Sequence, residues 1–384
     1  GPSLWTQKSG NISTDPIALI ELRDAIKSFE DKGNPKDIER ELRLISLTFK
    51  GCIPYANILG RNGVEESLPM TKTSFQQLLS FIPGLNYRDM HHHWTNDEHG
   101  KKIATLLFSY CALQQLDRDL FIRTIERSDV GRCVRSVHAS GTGNSYSPYS
   151  SGDMLDHLID SAPEFSNSIV LSADMTDDMT RLRLASPKRN DDGSFTLMKA
   201  SDLELRSPVS TLSFRNSSTG QSSVAIEGGI WTLICNNGMT SVSDRQRKKR
   251  KHSGNMDRLT TWYNGAVESI LTKQYGVLEQ YEAAMNVHID DMTGWMDSVL
   301  KKARSTSRYN FLTDHIVDVI KTKGLTDETT PQNNSVAQGA QAVALIAQTM
   351  KSMKNEVLME ELADWTMRQG LGLSSSDNLV RVEA

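Results

Sequence analysis

Apolar residues recur at helical spacing at both ends of the chain and in short, strand-like runs in its middle. Between Asp15 and about Arg118 the period is three to four: Ile17, Ile20, Leu22, Ile26 and Phe29 form one stripe, and Ile103, Leu106, Leu107, Tyr110 and Leu113 form another. Gly51, Pro54, Gly60, Gly63 and Pro83 punctuate the stretch, which reads as a series of short helices. From Ile125 to about Thr240 the texture changes to the runs "SIVLSA", "MTRLRLA", "SFTLMKA", "STLSFR", "SSVAI" and "IWTLIC", separated by Gly, Asp, Asn and Ser clusters. "RNDDGS" and "NSSTGQS" carry the chemistry of tight turns, so the runs predict an antiparallel sheet.

After Met256 the helical period returns, with Leu259, Trp262, Tyr263, Ala266, Val267, Ile270 and Leu271 on one face, and continues through Tyr309 to Lys323. "GLTDETTPQNNS" reads as a linker, and a single long helix is predicted from Val336 to Met367 on the stripe Val343, Ile346, Met350 and Met353. The expected fold is α+β: a central antiparallel β-sheet core flanked by an α-helical N-terminal region and a C-terminal set of long helices. The expected divisions are residues 1–124, 125–255, 256–369 and a mobile tail at 370–384, with Gly1-Pro2 the remnant of a protease site.

Composition narrows the class. The 384 residues carry a net charge of -4, so any attraction to a polyanion must be local. No apolar run approaches the roughly 18–20 residues of a membrane span, and none forms a signal-peptide core, which predicts a soluble intracellular protein. Cys52, Cys111, Cys133 and Cys235 are scattered, a spacing that suits neither a disulfide framework nor a zinc ribbon.

Several clusters invite a chemical reading. In "MHHHWTNDEHG", His91, His92, His93 and His99 suggest a metal, but three successive imidazoles cannot face one ion; the flanks favour a turn, with Asp97-Glu98 opening the next helix. Asp174, Asp177 and Asp178 could hold magnesium if they converged, yet no second acidic cluster, P-loop or nucleotide-binding glycine fingerprint accompanies them. The loop "ASGTGNSYSPYSSGD" lacks the third glycine of a phosphate cradle, although Tyr146 and Tyr149 could stack on bases. Cys235 lies in an apolar run where a thiol is inert, and His252 follows among cations, a weak pairing for covalent catalysis. No catalytic residue and no cofactor is predicted.

The strongest signal is the block Arg245, Arg247, Lys248, Lys249, Arg250 and Lys251, followed by His252. Mutual repulsion keeps such a run in solvent, so it is expected as a loop that contacts phosphates, with Arg181, Arg183, Lys188 and Arg189 as a second positive strip. "KKRK" would also serve as a nuclear localisation signal in a eukaryotic cell.

The same stretch carries a resemblance. "FRNSSTGQSSVAIEGGIWTLICNNGMTSV" with the following "RKHSGN" resembles the phage- and plasmid-related domain-of-unknown-function family 932, through Asn216, Ser217, Gly220, Ser222, Gly229, Trp231, Cys235, Asn237, Gly238, His252 and Gly254. Weaker similarity extends to "VGRCVRSVHAS", "YSSGDMLDHLI" and "NSVAQGAQAVALIAQ", whereas the N-terminal helical region has no counterpart. This chain has Ser218-Thr219 where the family usually carries His-Asp, and its closing helix lacks the usual Asn-Ala pair. The resemblance implies a mobile-element setting in a bacterial cytoplasm. Asn216, Asn237 and Gly238 are expected to be structural, supplying positive φ in tight turns.

Together these readings predict a non-enzymatic, phage-encoded single-stranded nucleic-acid-binding protein of recombination or replication type. It is expected to need no cofactor or membrane and to self-associate head to tail through the helices after Met256. Two other classes stay open: an interaction protein directed at a host factor, and an enzyme acting through Asp174, Asp177 and Asp178 or through Cys235 and His252.

Overall fold

The computed structural model describes residues 17–115, 117–140, 149–176, 178–204, 207–220, 223–232, 237–240, 247–250, 256–271 and 275–373. It is an α+β protein with antiparallel sheets at its centre and helices at both ends.

The N-terminal part begins with a two-residue strand β1 (Ile17–Ala18) and helix α1 (Leu19–Lys32), followed by β2 (Lys36–Glu41), β3 (Ile45–Lys50), β4 (Ile53–Leu59) and β5 (Glu65–Pro69). Helices α2 (Lys72–Ser80), α3 (Tyr87–Asn96) and α4 (Glu98–Leu113) lead to β6 (Asp119–Arg127) and β7 (Gly131–Ala139). The expectation of an all-helical stretch is therefore corrected. Strands β2 to β5 lie within it, in two three-stranded sheets, β2-β6-β7 and β3-β4-β5. β2 and β5 are short and largely exposed, with charge at many positions, so "KDIERE" shows no clean alternation. The division at residue 124 falls inside β6.

α3 contains the three adjacent histidines, whose flanking residues predict a turn instead. Asn86 caps it, accepting from the Asp89 amide at 2.9 Å, and Asp97 caps α4, accepting from the Gly100 amide at 2.6 Å. The start of α4 thus lies where the acidic pair predicts it. Trp94 anchors α3 against Phe49 and Phe75, at ring separations of 5.1 Å to each.

The central part comprises α5 (Ser151–Ser161), β8 (Ile169–Met175), β9 (Thr180–Ala185), the hairpin β10 (Lys188–Arg189) and β11 (Phe195–Thr196), β12 (Pro208–Asn216), β13 (Val224–Thr232), β14 (Asn237–Thr240) and β15 (Arg247–Arg250). The main sheet runs β1-β8-β9-β12-β13, and the free edge of β13 is shared by β14 and β15. Val224, Ala225 and Ile226 of "SSVAI" and Ile230, Trp231 and Thr232 of "IWTLIC", read as parts of separate runs, belong to one strand, because Gly228 and Gly229 lie inside the ladder opposite Leu212 and Thr211. Leu182, Leu184, Leu212, Phe214, Val224 and Ile226 form a core with α1, α5 and the helix α6 (Met256–Leu271). Arg181, Arg183, Ser213, Arg215 and Glu227 occupy the alternate positions, hence the opposite face.

The C-terminal helices are α7 (Tyr275–Met285), α8 (Met292–Arg304), α9 (Asp314–Val319) running into a π turn at Ile320–Gly324, α10 (Val336–Ala347) and α11 (Met353–Gly370). The single long helix expected over Val336–Met367 is two. α10 ends at Ala347, and Ser352 caps α11, its hydroxyl accepting from the Asn355 amide at 3.2 Å. α10 is buried almost throughout, the central rod of a core that also takes in Ile230 and Met239 from the sheet.

Candidate nucleic-acid interface

Four residues of the basic block form strand β15 instead of the expected loop. Its register with β13 sets Arg250 opposite Val224, Lys249 opposite Ala225, Lys248 opposite Ile226 and Arg247 opposite Glu227. The ladder satisfies the backbone of β15 on one side and, among the described residues, leaves the other side open at the sheet edge. A charged edge strand resists unwanted strand addition, and the alternation of a strand assigns Lys248 and Arg250 to one face and Arg247 and Lys249 to the other, so positions on one face recur at roughly 7 Å. Arg245, Lys251 and His252 lie outside the described residues.

Beside β15 lies the start of α6. Arg250, Asp257, Arg258, Thr261 and Trp262 line an open groove of about 370 Å³. Trp262 packs partly on the sheet core while remaining half-exposed, and Arg258 is exposed one turn earlier. The groove therefore brings together two guanidinium groups, one carboxylate and a half-exposed indole, a mixture of positive charge and aromatic face of the kind that can hold a single strand with unpaired bases. Trp262 was legible only as one member of an apolar stripe, and Arg258 was missed. Their spacing of four residues directly after a basic block was the available signal.

The second positive strip does not form. Arg181 and Arg183 are 5% and 1% exposed, so neither faces solvent. Both guanidinium groups meet Glu360 of α11, Arg183 at 2.7 Å, and Glu356 lies 3.9 Å from Arg181. Arg183 also lies over the Trp231 ring at 4.2 Å, and Arg215 bonds Glu227 at 3.0 Å. Burial pulls the pKa of both arginines down, that of Arg183 furthest, while Glu356 and Asp174 act to hold the charge. These residues join the sheet to α11. Lys188 and Arg189 are in the β10–β11 hairpin, paired with Thr196 and Phe195.

The described residues of the family-like motif lie in the main sheet and its turns, and among Asn216, Asn237, Gly238 and Gly220 only Gly220 has a positive φ. Asn216 ends β12 with its side-chain amide donating to the Tyr149 carbonyl at 2.7 Å. Gly220 does take the left-handed conformation, at φ 75°, in the turn between β12 and β13. Gly229 is required for another reason: a Cβ there would sit 2.2 Å from the Met239 carbonyl oxygen. Asn237 and Gly238 lie in β14, paired with Thr232 and Trp231, so the expected tight turn is a ladder. Cys235 and Gly254 lie outside the described residues. Ser218 and Thr219 face the N-terminal part, the Ser218 hydroxyl accepting from Arg135 at 2.7 Å and the Thr219 carbonyl from Gln77 at 2.6 Å.

The other clusters are distributed as follows. Asp174 is opposite Arg181 in the ladder, Asp178 precedes β9, and Asp177 lies outside the described residues. Among the described residues no three His, Cys, Asp or Glu side chains are grouped to hold a metal ion. Tyr149, expected as a stacking ring on a loop, is fully buried, with its hydroxyl 2.8 Å from His157 Nδ1 and its pKa raised by burial. Tyr146 lies outside the described residues. Among the described residues no helix is long and apolar enough to cross a membrane.

Comparisons with family models, with curated proteins and with solved structures return no match to this chain.

Proposed function

We propose that this protein binds single-stranded nucleic acid, without cleaving or modifying it, along β15 and the groove beside α6. The observation that carries the reading is the placement of Arg247–Arg250 as an edge strand next to Arg258 and Trp262. Basic residues at alternate positions of an exposed edge strand can follow a phosphate backbone, and each phosphate they neutralise releases counterions without reading sequence. The half-exposed indole adds a face on which any base can stack. In this reading several copies share one strand, which raises avidity. The setting is recombination or replication of a mobile element in a bacterial cytoplasm, as the resemblance around Asn216–Trp231 implies.

The test is retention of single-stranded oligonucleotides of unrelated sequence at low salt. The wild type is expected to retard all of them alike, and a variant with Arg247, Lys248, Lys249 and Arg250 replaced by alanine is expected to retard none. Equal retention by both would remove β15 from the interface, and no retention by the wild type would end the reading.

A further inference from the structure

Helix α4 presents to solvent the stripe that periodicity marks as apolar. Ile103, Leu106, Leu107, Tyr110 and Leu113 are 50%, 70%, 37%, 66% and 59% exposed. Gly100, Ala104, Phe108 and Ala112, on the other side of the helix, are buried. The small residues among them let α4 lie close on β3 and the turn at Leu42–Leu44, with α3 alongside. Ile103, Leu106, Tyr110 and Leu113 follow one another at spacings of three, four and three, the a/d seam of a coiled coil, and Leu107 widens it.

A seam of that spacing fits another helix. These five side chains leave on the order of 600 Å² of apolar surface in water, at the top of the range for a lone chain, so joining two copies would bury roughly 1,200 Å², the lower bound of a stable interface. Charge favours one orientation. Lys101 and Lys102 lie near the N-terminus of α4, and its last turn carries no basic residue. An antiparallel copy would set each lysine pair beside the C-terminal end of the other helix, where the dipole favours cations.

We infer that α4 is the contact face of a homodimer in which two copies of this helix pack antiparallel across a twofold axis. The assembly is thus isologous, each copy offering the same stripe. It replaces the head-to-tail contact expected from the helices after Met256, because the stripe of α6 is internal: Leu259, Tyr263, Ala266 and Val267 are all buried in the sheet core. The inference does not depend on nucleic-acid binding.

Sedimentation equilibrium of the full chain without nucleic acid tests it. The wild type is expected to be a dimer at micromolar concentration. Leu106→Asp with Tyr110→Asp is expected to give a monomer with unchanged circular dichroism. Leu106→Ala with Tyr110→Ala, which keeps the helix formers and adds no charge, is expected to weaken the dimer at least about tenfold. A wild type that stays monomeric overturns the inference, as does a dimer that neither pair of substitutions weakens.

Discussion

Arg183 and Glu360, 177 positions apart in the chain, meet at 2.7 Å in the interior, with side chains 1% and 4% exposed. The contact ties β9 to α11, and Arg181 shares the same carboxylate. Two guanidinium groups on one carboxylate make Glu360 the group whose loss leaves most charge uncompensated. Glu360→Gln keeps the shape and removes the charge, so it is expected to cost about 3–5 kcal/mol in urea denaturation. Replacing Arg181, Arg183 and Glu360 together by apolar residues of similar volume is expected to cost less than the single change. A Glu360→Gln midpoint equal to the wild type would contradict this assignment.

Gly229→Ala is expected to destabilise by about 1–3 kcal/mol, since the added methyl meets backbone rather than a movable side chain. The damage should be local first. Amide exchange in Asn237–Thr240 is expected to accelerate before exchange in β12, and uniform protection would show that β14 does not approach Gly229 as described.

Glu30 gives a pH-dependent prediction. Its carboxylate accepts from the Gly152 amide at 2.7 Å, yet burial raises its pKa, and the hydrogen bonds from Gly152 and Ser150 only partly offset that rise. A carboxyl whose folded pKa lies above the unfolded value of about 4.3 binds its proton more tightly when folded, so its stabilising effect is full below that value and lost as pH rises through the folded pKa. Glu30→Gln keeps an acceptor and cannot ionise. Its stability relative to wild type is therefore expected to improve between pH 4 and pH 7, and thermal melts across that range that run parallel would exclude the effect.

Trp262→Ala is expected to weaken single-strand binding by about 1–3 kcal/mol, while Trp262→Phe retains most of it because a π face remains. Titrations of both variants at one salt concentration separate stacking from charge. Equal weakening by both would mean that the indole only supports α6 from below.

The sheet was legible where turn chemistry frames it. "RNDDGS" produces the β10–β11 hairpin with Gly193 at φ 83°, and "NSSTGQS" contains the turn glycine Gly220 between β12 and β13. Among the N-terminal strands, β2 and β5 were not legible because they are largely exposed and polar residues interrupt their alternation, whereas "ISLTFK" of β3 alternates cleanly and was overlooked within a stretch read as helical. Periodicity found α4 but implied the wrong face. Which side packs was decided by close approach at Gly100, Ala104 and Ala112, information that a count of apolar residues omits. The alternation in "TRLRLA" sets Arg181 and Arg183 on one face of β9, but their charge was read as a strip open to phosphates and both are buried. That α11 covers that face with Glu356 and Glu360 is a long-range pairing that no local pattern encodes. Of the candidate interface, the charge was visible and the strand was not.

The most direct test of the central claim is the salt dependence of single-strand binding, compared between the wild type and the variant with Arg247, Lys248, Lys249 and Arg250 changed to alanine. If β15 follows the phosphate backbone, the slope of log K against log salt flattens by up to about 0.7 for every phosphate that the variant no longer neutralises, alike on every sequence. A variant that binds more weakly with an unchanged slope, or that matches the wild type in both, would contradict the placement of nucleic acid on this strand.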